Sequence, residues 1–140
     1  MRKQSWLFVF LFLNLSVFFS LCQAAEGIRW RQWSPLIFEL AKKEHKLILI
    51  YGKINSCPWC QKMDNFSFTD PAVAQLVSED YVAVKVDIQQ ETALANRYQI
   101  SEIPSLIILD ARNKELKRFY GYTSPQSLLS KLSGLSQQYR

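Results

Sequence analysis

Apolar residues recur along the chain with two different periods, and the switches between them predict its elements. From residue 33 to 44, Trp33, Leu36, Ile37, Leu40 and Ala41 repeat at helical spacing, with Ser34 as a cap and Pro35 in the first turn. Residues 47–51 are a continuous apolar run between Lys46 and Gly52, the pattern of a strand buried on both faces. Pro58 then lies just inside a helix that contains Gln61, Lys62, Met63 and Phe66. Asp70 and Pro71 form a second cap-then-proline pair, and Val73, Leu76 and Val77 give the short helix behind them an apolar face.

Residues 81–87 change period, with Val82, Val84 and Val86 on one side and Ala83, Lys85 and Asp87 on the other, which is a strand. Leu94, Ala95 and Tyr98 return to helical spacing, and residues 105–109 are again a continuous apolar strand. Residues 110–114 read as a turn, 116–120 as a hairpin partner, and Ser124 with Pro125 opens a last helix through Leu128, Leu129, Leu132 and Leu135. The order is therefore helix, strand, helix, helix, strand, helix, strand, strand, helix. Strands separated by helices predict parallel pairing through right-handed crossovers, and the last two predict an antiparallel edge. The fold class is α/β: a central mixed sheet flanked by helices. Trp30, Trp33, Phe66, Phe68 and Tyr98 are assigned to the core.

At 140 residues the chain suits one domain with a single core. Its first residues change the picture of where it works. Arg2 and Lys3 precede an apolar run over residues 6–21, interrupted only by Asn14, Ser16 and Ser20, the layout of a secretory signal. Cys22 and Ala24 stand at minus three and minus one for a cut before Ala25, which makes 1–24 the leader and 25–140 the domain. An uncleaved anchor is the rival reading, because the run is slightly long for a signal core and slightly short for a membrane span. A lipid-modified Cys22 is disfavoured by the bulky Leu21 before it. The whole chain carries 17 basic and 12 acidic residues. Removing 1–24 takes Arg2 and Lys3 and no acid, leaving 15 against 12, a mild +3. The basic residues are scattered among acids, so composition gives no nucleic-acid surface.

Without Cys22 the chain retains Cys57 and Cys60. Two residues apart, they close a loop too small to remove much entropy from the unfolded chain, so chemistry explains them better than stapling. Cys57-Pro58-Trp59-Cys60 follows a buried strand and opens a helix, where unpaired N–H groups and the helix dipole favour a thiolate. Cys57 is the expected nucleophile, and Cys60, one turn in, the resolving thiol. Run forwards or backwards, the same steps reduce or donate a disulfide, so the pair alone leaves direction open. Metal use is disfavoured because a zinc site wants three or four ligands. His45 is the one histidine of the chain and lies before the strand, while Gln61 stands where c-type haem attachment needs histidine. No role is assigned to His45, and no cofactor is called for.

Strand, CPWC, helix and a later Ile103-Pro104-Ser105 entering a strand and hairpin resemble the thioredoxin superfamily over about residues 30–136. Residues 56–63 and 68–73, reading SCPWCQKM and FTDPAV, are similar to exported thioredoxin-like proteins and to the C-terminal domain of membrane thiol:disulfide interchange reductases. The resemblance implies a thioredoxin-like fold, a cis peptide before Pro104 beside the active site, and an Ile103 backbone that bonds an extended substrate segment. It also marks two departures: Ser56 where thioredoxins carry tryptophan, and Tyr51 where they carry a buried aspartate that assists the resolving thiol. Lys53 is a candidate to favour the Cys57 thiolate, and Trp59 to stack on a partner.

The expectation is an exported enzyme, in a bacterial periplasm, exchanging electrons with protein disulfides. It leans to a reductant recharged by a membrane electron-transfer partner. A disulfide donor or isomerase, and a non-catalytic client-binding module, are the alternatives. Oligomeric state is left open.

Overall fold

The computed structural model describes residues 27–139. The anticipated leader, 1–24, lies outside them. The elements are α1 (Leu36–Glu44), β1 (Leu47–Lys53), α2 (Pro58–Lys62), a π-helical turn (Met63–Ser67), α3 (Pro71–Asp80), β2 (Tyr81–Asp87), α4 (Thr92–Arg97), β3 (Ser105–Leu109), β4 (Glu115–Tyr120) and α5 (Pro125–Tyr139).

Local chemistry explains most of the boundaries. Asp70 caps α3, its Oδ1 accepting from the N–H groups of Ala72 at 3.0 Å and Val73 at 3.2 Å. Ser34 does not cap α1 as anticipated. Pro35 already has helical angles (φ −57°, ψ −25°), the cap makes no side-chain bond, and the helix starts at Leu36. His45 ends α1 with a left-handed φ of 54°, and its N–H returns to the carbonyls of Ala41 and Lys42.

The sheet order is β2-β1-β3-β4. β1 and β2 are parallel, with Leu47 opposite Tyr81, and β3 pairs antiparallel with β4. β3 also runs antiparallel to β1, with Gly52 opposite Ser105, against the parallel pairing anticipated for strands separated by helices. The connection from β2 holds only the six-residue α4. Such a helix rises about 9 Å, while a seven-residue strand extends about 23 Å, so the chain does not return to the far end of the sheet. It re-enters at the end where β1 finishes, which sets Ile103-Pro104 beside the segment leading to Cys57.

The sheet divides two apolar layers. One gathers Leu49, Tyr51, Met63, Phe68, Val73, Leu106, Leu128 and Leu132 under α2, α3 and α5. The other gathers Ile37, Ile48, Ile50, Val84, Leu94, Tyr98 and Ile107 under α1 and α4. Burying each such side chain contributes about 1.5–3 kcal/mol. Phe68 and Tyr98 are core as anticipated, and Trp30 and Trp33 are half-buried against the two layers. Phe66 is not core: it is 61% exposed. The π turn, closed by the Phe68 N–H on the Met63 carbonyl at 3.0 Å, inserts a residue and rotates Phe66 outward.

Candidate active site

β1 delivers the chain through Ile54, Asn55 and Ser56 to Cys57, the N-cap of α2. Pro58 fits the first helical position because it has no N–H to leave unpaired. The Cys57 sulfur accepts the N–H of Cys60 at 3.1 Å. Cys57 and Cys60 form a disulfide, their Cα atoms 5.2 Å apart. The two residues are unequal: Cys57 keeps 8% exposure and Cys60 none. The outer sulfur is the one a second protein can reach.

The Ile103-Pro104 peptide is cis. Pro104 is buried, Ile103 is half-buried against the layer that contains both cysteines, and the Pro104 carbonyl accepts the Gly121 N–H at 2.8 Å. That bond brings the 121–124 loop against the proline. Tyr122 of this loop meets Trp59, with ring centroids 5.7 Å apart. The structure thus collects Cys57, Trp59, Cys60, Ile103 and Pro104 at one end of the sheet. Lys53 is not aimed at Cys57; its ammonium pairs with Asp64 at 2.7 Å.

Beneath the cysteines lies a polar group among aromatic rings. Tyr51 is fully buried, packs with Trp30 and Phe68, and donates its hydroxyl to the Cys60 carbonyl at 3.1 Å. Burial and, next, the Asp64 charge push the Tyr51 phenol well above its ordinary range, so it stays a donor wherever the protein is folded. Asp64 accepts from Lys53 at 2.7 Å and from Lys85 at 2.8 Å. The Lys85 ammonium also sits 4.7 Å from the Trp30 ring centroid. Asp64 escapes a reading that seeks a buried acid on β1. It follows Cys60 by four residues, in the π turn, and both its oxygens are taken by lysines. Among the described residues no group of three or more His, Cys, Asp or Glu could hold a metal.

Comparison with known proteins gives the same picture. A profile of the Thioredox_DsbH family, described as a protein of unknown function (DUF255), matches residues 11–105. The disulfide bond reductase DsbH of Chlamydia pneumoniae is 25% identical over 107 residues, covering 68% of this chain and 64% of its own. Spermatogenesis-associated protein 20 of Homo sapiens is 36% identical over 67 residues, 48% of this chain. The chain spans only 8% of that human protein's length. Among solved structures, a thioredoxin from Thermus thermophilus superposes with a TM-score of 0.69 at 25% identity, over 79% of this chain and 88% of that one.

Proposed function

The chain belongs to the Thioredox_DsbH family of thioredoxin-like thiol:disulfide oxidoreductases, and from that premise we propose that it reduces disulfides in other proteins. The observation that carries the proposal is the pairing of a reachable Cys57 at a helix N-terminus with a buried Cys60 one turn away.

In the dithiol form, the Cys57 thiolate attacks one sulfur of a substrate disulfide. A Cys57–substrate bond forms, the substrate S–S bond breaks, and the first substrate sulfur leaves as thiolate. Cys60 then attacks the Cys57 sulfur, releases the second substrate thiolate and closes Cys57–Cys60. Two electrons pass to the substrate, and the chain ends oxidised. The proton lost by Cys60 ends on the departing substrate thiol. Tyr51 holds the Cys60 turn in place through its carbonyl. Ile103 presents its backbone to the extended substrate segment beside Pro104, and Trp59 packs on the partner.

Reduction, rather than donation of a disulfide, is supported by the resemblance to interchange reductases and by the name of the chlamydial relative. A chain spent in this way needs a dithiol donor, and a membrane electron-transfer protein outside the cytoplasm fits the leader read in residues 1–24. Residues 25–140 then work in the periplasm as one domain.

Trapping tests the proposal. Cys60→Ser should accumulate mixed disulfides with client proteins, seen as thiol-sensitive bands, while Cys57→Ser should yield none. Equal trapping by both variants, or by neither, would refute the assigned roles.

A further inference from the structure

Two exposed aromatic side chains lie on α2 and the π turn that follows it. Trp59 and Lys62 follow at three-residue spacing on α2, and Phe66 comes four residues later in the π turn, continuing an exposed strip. Trp59 is 56% and Phe66 61% exposed, although aromatic side chains of this size are normally covered. Between them the Lys62 ammonium lies 5.2 Å from the Trp59 ring centroid and 4.6 Å from that of Tyr122. Among the described residues Lys62 takes part in none of the ion pairs, whereas Lys46, Lys53 and Lys85 each hold a carboxylate. In the segments bordering the cysteines, 54–62, 101–104 and 121–124, the charged side chains are Lys62 and Glu102.

We propose that this strip grips the polypeptide flanking a substrate disulfide and selects segments with a carboxylate close to the reacting cysteine. The inference rests on the reading of Cys57 as nucleophile and adds a substrate class to it. Trp59 and Phe66 supply apolar contact, and Lys62, lying over two rings, supplies a positive charge that none of the ion pairs among the described residues takes up. Seven helical residues rise about 10 Å, the reach of roughly three residues of extended chain. The strip is therefore long enough to read the neighbours of a cysteine.

Charge separates this occupant from others. Residues 1–24 of the chain carry Arg2 and Lys3 and no acid, so they do not complement Lys62.

The test uses the full chain and three disulfide-bonded peptides that differ at one residue beside the cysteine: Glu, Gln or Lys. Wild type should rank them Glu, Gln, Lys in kcat/KM. The step between charges should be about threefold to fivefold, the range of one exposed ion pair, and should shrink in about 0.5 M salt. Lys62→Glu should reverse the order. A flat ranking in wild type, or the same ranking in Lys62→Glu, overturns the proposal. So does a Lys62→Glu effect confined to glutathione disulfide, or a concentration-dependent dimer dissolved by Phe66→Ser. Calorimetry with Cys57→Ser and peptides bearing serine for cysteine reads docking without turnover. Ranked binding with no turnover sinks the reductase reading and leaves the docking strip standing. Turnover without ranking does the reverse.

Discussion

Cys60 is buried, and a buried thiol has to lose its proton before it attacks. Asp64 lies four residues on, with its oxygens held by Lys53 and Lys85. Asp64→Asn keeps the shape and removes the charge that Lys53 and Lys85 share, so it should cost about 1–2 kcal/mol, read as a lower urea midpoint. Tyr51→Phe leaves the buried Cys60 carbonyl without its side-chain partner and should cost about 1 kcal/mol in urea unfolding. At this scale the sequence was legible for what neighbours in the chain do. The CPWC thiols and the proline before β3 are local signals. The Tyr51–Asp64–Lys85 arrangement is not, because it draws on β1, the π turn and β2, and only packing brings those side chains together.

Gly52 shows how tightly the elements meet at the end of the sheet that bears the cysteines. A Cβ there would lie 2.8 Å from both Ile100 Cγ2 and Ser105 Oγ, so the segment after α4 and the start of β3 close directly over the β1 backbone. Gly52→Ala should destabilise by about 1–3 kcal/mol, read as a lower urea midpoint at unchanged slope. Asp70→Ala removes two cap bonds from α3 and should cost about 1 kcal/mol by the same measurement. The type and order of elements followed from hydrophobic period alone. The antiparallel direction of β3 did not, because it depends on whether α4 is long enough to carry the chain back, which is a matter of length rather than period. The outward turn of Phe66 was hidden for a related reason: an extra residue in the π turn shifts the helix face without leaving a mark in the pattern.

Across the whole molecule, the end of β1, the start of α2, the entry to β3 and the 121–124 loop converge on one end of the sheet. An open-sheet α/β protein places its chemistry there because loops and a helix N-terminus converge beyond the strand ends. The fold thus presents Cys57 at a surface edge, keeps Cys60 behind it, and leaves direction to the energy difference between dithiol and disulfide. That difference is the least legible property in the sequence, since the same four residues run either way. It is settled by equilibrating the full chain with defined thiol/disulfide buffers and following the Cys57–Cys60 pair. As a reductant the chain should show a potential of about −250 mV or lower, whereas a value near about −120 mV would mark a disulfide donor and contradict the account.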